Sequence, residues 1–131
     1  NLFSQNDIIV ELAALTPKNH HLVDERLLRM IPEDGVFVNI GRGAVVDEAA
    51  LARVAAEGRI RVALDVYEVE PLPLDSPLRS IDSVSLLPHL GGPTVDQRAT
   101  AGAYGVANLE RFIQSQSLES VVDLWAYDHS T

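Results

Sequence analysis

Residues Val36–Glu48 read VFVNIGRGAVVDE, and this stretch decides the fold of the chain. It opens with an apolar run suited to a buried strand, and the two glycines that flank Arg42 allow a tight turn in which backbone or ligand comes close. Asp47 then has the position of an N-cap for a following helix. In an open α/β sheet, ligands sit beyond the carboxyl ends of the strands. Arg42 therefore stands at the edge where a ligand is expected.

The composition restricts the classes of protein to which the chain can belong. Its 131 residues are enough for one domain with a hydrophobic core. The formal net charge of −9 argues against non-specific binding to nucleic acid. No apolar run approaches the ~18 residues that a membrane helix needs, and there is no signal-peptide pattern. The lack of cysteine excludes disulfides and thiolate metal sites and fits a reducing cytoplasm.

Apolar strands alternate with short helices along the rest of the chain. This order is typical of a parallel sheet covered by helices, so we predict a Rossmann-like, doubly wound α/β fold. Asp24 is expected to cap the first helix and Gly58 to end the second. The predicted strands are residues 7–15, 36–40, 60–67 and 84–87, and the predicted helices are residues 25–31, 48–57 and 95–114.

One expected motif does not occur. A complete dinucleotide-binding domain carries G-x-G-x-x-G after its first strand and an acid about 20 residues further on, and the 131 residues contain no such pattern. We therefore expect the second half of such a domain, without its glycine-rich half. Its core is predicted at residues 7–92, and residues 93–131 are predicted to form a C-terminal helix and a tail.

Polar side chains lie at or just past the carboxyl ends of the predicted strands: Arg42, the acidic group of Asp65, Glu68 and Glu70, and His89. Arginine binds carboxylates through two hydrogen bonds, and histidine transfers protons near neutral pH. A carboxylate on the second ring nitrogen would fix the tautomer and favour the imidazolium. Together these groups favour a site that interconverts a hydroxyl and a carbonyl next to a carboxylate. Taken singly, each residue also fits a purely structural role.

The other histidines are interpreted as having no part in this site. His20 and His21 lie beside a predicted turn, and His129 lies in the tail. No two histidines have i, i+4 spacing together with a carboxylate, so we predict no metal site.

Three motifs carry a resemblance to a known family. Residues 39–48 read NIGRGAVVDE, residues 63–71 read ALDVYEVEP and residues 87–92 read LPHLGG. In this order they resemble the D-isomer-specific 2-hydroxyacid dehydrogenases, over roughly residues 7–115. The resemblance implies part of an NAD-binding domain of an oxidoreductase that transfers a hydride between NAD(P)H and a 2-ketoacid or D-2-hydroxyacid. It also implies a homodimer and a separate substrate domain that these residues do not include. The tail, residues 120–131, would then lack its packing partner or dimerise instead.

The resemblance assigns roles to individual residues. Arg42, Glu70 and His89 form the catalytic set: Arg42 would bind the substrate carboxylate, His89 would protonate the ketone oxygen, and Glu70 would hold His89. Asp65 would bind the nicotinamide carboxamide. The residues expected to line the cofactor are Ala13, Ile40, Gly41, Arg42, Asp65, His89, Gly91 and Gly92.

Some questions stay open at this level. The family often has His-x-Pro where this chain reads Leu12-Ala13-Ala14, so the cofactor wall is expected to differ in detail. The choice between NAD and NADP and the identity of the hydroxyacid are undetermined. Two alternatives remain: an NAD(H)-responsive binding or corepressor-type module on the same fold, and an inactive fragment.

Overall fold

The computed structural model describes residues 2–92 and 94–129, apart from the side chains of Asp96 and His129. Pro93 and the last two residues of the predicted tail, Ser130 and Thr131, lie outside this range. The sheet has four parallel strands in the order β1-β2-β3-β4. They are β1 (Ile8–Glu11), β2 (Val36–Asn39), β3 (Arg61–Leu64) and β4 (Val84–Leu86). The predicted parallel, Rossmann-like α/β fold is confirmed.

Two helices pack against one face of this sheet, α1 (Glu25–Leu28) and α2 (Glu48–Ala56). Both begin at the predicted caps, because Asp24 Oδ1 and Asp47 Oδ1 each accept a backbone N–H three residues further on, at 2.8 Å. Gly58 follows α2 with φ +74°, the left-handed conformation that glycine adopts most easily after a helix. Short 3₁₀ turns cover Leu2–Ser4, Gly43–Val45 and Pro77–Ser80.

The hydrophobic core lies between the sheet and the two helices. Ile9, Phe37 and Val62 stand in register on adjacent strands and are buried. Phe37 and Leu28 are 0% exposed, and full burial of such a side chain stabilises a fold by about 1.5–3 kcal/mol. On the other face of β1, Ile8 is 63% exposed.

Two strands end earlier than predicted, at the edge where the candidate site lies. β1 ends at Glu11 rather than at residue 15, because the Glu11 carboxylate accepts a hydrogen bond from the Ala13 N–H (2.6 Å) and draws the chain into a turn. β3 ends at Leu64 rather than at residue 67, because the Tyr67 N–H donates to the Glu70 side chain (3.1 Å).

The first helix is also shorter than predicted. It ends at Leu28 rather than at Ile31. The N–H groups of Met30 and Ile31 bond to carbonyls three residues earlier, at 3.0 and 3.2 Å, so the last turn tightens. Pro32 then prevents further helix.

The chain divides into two compact units, one that contains the sheet and one that spans Gly91–Asp128. In the second unit, helix α3 (Val95–Ile113) agrees with the predicted helix to within one residue. The Asn108 side chain exchanges two hydrogen bonds of 3.0 Å with the backbone of Glu119. The sequence did not predict helix α4 (Leu124–His129), which begins after the cap Asp123.

Among the described residues, no helix combines the length and the apolar character that crossing a membrane requires.

Candidate active site

The turn that carries Arg42 is built by the buried side chain of Asn39, the last residue of β2. Asn39 Oδ1 accepts the Gly41 N–H at 3.1 Å, and Asn39 Nδ2 donates to the Arg42 carbonyl at 3.2 Å. Asn39 is only 1% exposed, so both bonds are shielded from water. One side chain therefore fixes the backbone on both sides of the turn and sets the direction in which Arg42 leaves the sheet.

The two glycines of the turn are required by the protein's own backbone. A Cβ on Gly43 would lie 1.9 Å from the Tyr67 carbonyl carbon, and a Cβ on Gly41 would lie 2.5 Å from Glu11 Oε2 and 2.9 Å from the Leu12 backbone. All three distances are well inside van der Waals contact. The glycines thus allow the turn after β2 to pack directly against the chain that follows β1 and β3.

His89 and Glu70 form a hydrogen-bonded pair at the carboxyl edge of the sheet. His89 Nδ1 and Glu70 Oε2 are 2.7 Å apart, and Glu70 Oε1 accepts the Tyr67 N–H at 3.1 Å. Both side chains are partly exposed. His89 has φ +54°, a conformation that is uncommon outside glycine and that is often found at functional sites. The loop after β3 therefore holds the carboxylate that orients the imidazole of His89.

The charges around Glu70 keep its carboxylate ionised. Partial burial on its own would raise the pKa of Glu70, but the hydrogen bonds from His89 and the Tyr67 N–H, with the charges of His89 and Arg42, lower the pKa below its ordinary value. The charge of Arg42, which lies in the turn after β2, thus helps to lower the pKa of the same carboxylate that binds His89. The structure therefore places Glu70 and His89 in direct contact, while the Arg42 guanidinium donates to the Gly41 carbonyl at 2.8 Å. The catalytic role of the three residues stays a prediction.

Asp65 is buried directly beyond β3, with 3% of its surface exposed. Its Oδ1 accepts the Leu90 N–H at 2.6 Å, and its own N–H donates to the Asn39 carbonyl at 3.0 Å. Asp65 thus fixes the backbone next to His89, a contact that the sequence did not indicate.

Sequence reasoning missed Glu11, the last residue of β1. Glu11 is 8% exposed, and its Oε2 has no hydrogen-bond partner among the described residues. Its Oε1 accepts a hydrogen bond from the Ala13 N–H, and Ala13 is one of the residues predicted to line the cofactor. The sequence did carry one indication of its role: Glu11 is an acid at the end of an apolar strand. A carboxylate buried there needs a hydrogen-bond partner.

A cavity of about 480 Å³ lies beside the His89–Glu70 pair. Tyr67 spans its inner wall, and its hydroxyl donates to the carbonyl of Leu87 at 2.7 Å. Burial raises the pKa of Tyr67, so the hydroxyl remains a donor. The apolar part of the wall includes Leu72, Leu86 and Leu87. The pair therefore borders a space that is lined by apolar side chains together with Arg79 and the imidazole of His89.

The remaining predicted residues have different surroundings. Ile40 is 49% exposed next to the turn. Gly91 and Gly92 belong to the second unit, and a Cβ on Gly92 would meet no atom of the described residues within 4 Å. The chain's own residues fit an amide-bearing ligand such as nicotinamide, because Glu11 Oε2 is a buried acceptor at the carboxyl edge of the sheet.

The geometry defines a Rossmann-like domain with a hydrogen-bonded histidine–glutamate pair at the carboxyl edge of its sheet. The sequence matches the profile of the family described as D-isomer specific 2-hydroxyacid dehydrogenase, NAD binding domain, over residues 1–91. The chain belongs to this family, as its three motifs predicted.

The chain is similar to curated and solved members of the family. It is 39% identical to glyoxylate/hydroxypyruvate reductase B of Pectobacterium atrosepticum over 123 residues, which is 93% of this chain and 38% of the relative. The D-isomer specific 2-hydroxyacid dehydrogenase of Xanthobacter autotrophicus Py2, solved with NADPH and MES, superposes with a TM-score of 0.77 and 38% identity over 92% of this chain and 50% of that one.

A second structure is similar over most of the chain. It is the NADPH-dependent glyoxylate/hydroxypyruvate reductase of Sinorhizobium meliloti, solved with NADP and malonate. It superposes with a TM-score of 0.80 and 31% identity, over 90% of this chain and 37% of that one. The chain thus spans less than half the length of the curated relative and of this reductase.

Proposed function

We propose that this chain supplies the acid–base side of the active site in an NAD(P)-dependent 2-ketoacid reductase or D-2-hydroxyacid dehydrogenase. The observation that carries the proposal is the His89–Glu70 pair, with 2.7 Å between Nδ1 and Oε2. Because Nδ1 donates to the carboxylate, Nε2 is the ring atom that exchanges a proton with the substrate oxygen. In the reduction, Nε2–H protonates the ketone oxygen, and in the oxidation neutral Nε2 removes the hydroxyl proton.

Arg42 has the role of binding the substrate carboxylate. Its position at the carboxyl end of β2 and its charge, which acts on Glu70, support this role. A guanidinium binds a carboxylate through two parallel hydrogen bonds and so fixes the neighbouring ketone carbon. A substrate with a carboxylate next to the carbonyl therefore presents its oxygen to His89 while Arg42 holds its other end.

Bound NAD(P)H supplies the hydride, and this chain's residues hold its nicotinamide. Asp65 and Glu11 stand at the ends of β3 and β1, where carboxylates can accept N–H groups of the carboxamide. The remaining cofactor-lining positions are proposed to be Ala13, Ile40, Gly41, Arg42, His89, Gly91 and Gly92.

The proposal also covers the domain organisation, the substrates and the oligomeric state. The 131 residues contain no G-x-G-x-x-G, so we propose that they act as the second half of a dinucleotide-binding domain with a C-terminal helix. The curated relatives are named for glyoxylate and hydroxypyruvate, and these two ketoacids are the first substrates to test. We further propose a homodimer in the cytoplasm, in line with the family's habit and the absence of cysteine.

A turnover assay tests the proposal. The native protein containing this chain is given glyoxylate, hydroxypyruvate and a panel of other 2-ketoacids, with NADH and NADPH in separate reactions. We expect cofactor oxidation with at least one ketoacid, and loss of turnover together with ketoacid binding in Arg42→Gln. Cofactor binding without turnover on any ketoacid would instead support the binding or corepressor-type module.

A further inference from the structure

A second cluster of polar side chains lies outside the proposed active site. It consists of His20, His21 and Glu68, and one ligand atom from each lies within 4.8 Å of the other two. His21 Nε2 and Glu68 Oε1 are 2.7 Å apart, and the two imidazole rings have centroids 3.9 Å apart. Two imidazoles therefore face one carboxylate.

The backbone N–H groups of His21 and Glu68 bind to the same stretch of chain, residues 44–48. The His21 N–H donates to the Ala44 carbonyl at 2.9 Å, and the Glu68 N–H donates to Glu48 Oε2 at 2.9 Å. His21 has φ +52°, an uncommon conformation that such contacts must maintain. The loop before α1 and the loop after β3 are thereby held side by side, although His21 and Glu68 are 47 residues apart in sequence.

We propose that His20, His21 and Glu68 bind one divalent first-row transition-metal ion of the zinc type. Two imidazole nitrogens and one carboxylate oxygen are a donor set that such ions prefer, and three protein ligands leave a fourth position for water. Metal–ligand distances of about 2.0–2.2 Å place tetrahedral ligands roughly 3.3 Å apart. His21 Nε2 and Glu68 Oε1, now 2.7 Å apart, must therefore separate by about 0.6 Å, and ligand atoms that are up to 4.8 Å apart must move closer together. Such shifts are feasible because the side chains of His21 and Glu68 are 36% and 34% exposed.

The chemistry of the chain selects this class of ion. With no cysteine there is no thiolate, and a single carboxylate in the cluster is a poor site for Ca²⁺ or Mg²⁺, which prefer several oxygen ligands. The net charge of −9 attracts cations in general. The bound ion would clamp the loop before α1 to the loop after β3. The proposal uses neither His89 nor Glu70, so it stands apart from the proposed function.

The sequence did not predict this site, because a metal site on one helix needs two histidines one helical turn apart. His20 and His21 are adjacent instead, and the carboxylate of Glu68 comes from a distant loop. Only the parallel sheet, which gathers loops at its carboxyl edge, brings the three groups together.

The test is a titration of Zn²⁺ into the chain, purified without a histidine tag and followed by calorimetry. His20→Ala and Glu68→Gln remove one ligand each. His89→Ala is the matched control. It removes a histidine that also has a carboxylate 2.7 Å away but that, among the described residues, belongs to no three-ligand cluster. We expect one Zn²⁺ per chain, affinity weakened about tenfold or more in both ligand variants, and unchanged affinity in the control.

A second measurement needs no substitution. Co²⁺ or Ni²⁺ added to the unmodified chain should broaden the imidazole NMR signals of His20 and His21 before those of His89. Any of three results would overturn the proposal: metal binding at a site that includes His89, unchanged Zn²⁺ affinity in His20→Ala, or no Zn²⁺ binding at millimolar metal. Far-UV circular dichroism confirms that the variants are folded.

Discussion

Gly43→Ala should destabilise the sheet unit by about 3 kcal/mol or more, at the upper end of the cost of overpacking. The added Cβ would lie 1.9 Å from the carbonyl carbon and 2.0 Å from the carbonyl oxygen of Tyr67. Carbon atoms in contact prefer roughly 3.5–4.0 Å, so the two segments must separate by about 1.5 Å or more. The two carbonyl atoms of Tyr67 belong to the backbone and cannot rotate away as a side chain could. Gly43 and Tyr67 are also buried, so neither segment can move freely into solvent.

The assay is urea unfolding, with Gly58→Ala as the matched control in the same unit. Gly58 has φ +74° and no atom within 4 Å of an added Cβ, so alanine there costs only the left-handed conformation, about 1–2 kcal/mol. Gly43→Ala should therefore exceed the control. Because Tyr67 N–H also holds Glu70, the substitution should weaken the proposed site as well.

A loss below about 1 kcal/mol in Gly43→Ala would refute the reasoning. It would mean that the turn after β2 does not pack directly on the Tyr67 backbone, and that its glycines serve a ligand instead.

Three further predictions concern stability. Asp47→Ala should cost about 1 kcal/mol in urea unfolding, because it removes the cap of α2, whereas Asp47→Asn should retain most of it. Tyr67→Phe should cost about 1 kcal/mol, since the Leu87 carbonyl loses its donor. Three carboxyls have pKa values lowered below their ordinary 4.5: those of Glu70, Glu25 and Glu57. Their contribution to the free energy of unfolding should therefore be constant above pH 4.5 and fall as the pH drops through the lowered values. A free energy of unfolding that stays flat down to about pH 3 would contradict this.

The sequence was sufficient wherever the cause is local or periodic. Asp24 and Asp47 cap their helices because an aspartate bonds to the N–H three residues on, whatever the tertiary fold. The alternation of strands and helices predicted a parallel sheet, and a parallel sheet gathers its strand ends at one edge. That is why Glu70 and His89, 19 residues apart, could be expected to meet.

What the sequence could not supply depends on contacts between distant segments. The close approach of Gly43 to Tyr67 and the pairing of His21 with Glu68 need three-dimensional positions. The early end of β1 has the same origin, since periodicity favours a longer strand while the Glu11 carboxylate turns the chain. At the candidate site, the sequence predicted that Glu70 would hold His89, but not the buried position of Glu11 or the bond from Leu90 to Asp65.

The central claim is that His89, held by Glu70, donates the proton in ketoacid reduction. The most direct measurement is the single-turnover rate of NAD(P)H oxidation by the native protein containing this chain, for the unmodified protein and for His89→Ala, with cofactor affinity measured in parallel. The account predicts a rate lowered by about 10²–10⁴-fold with cofactor affinity nearly unchanged. A His89→Ala rate within a few-fold of the unmodified protein would contradict it.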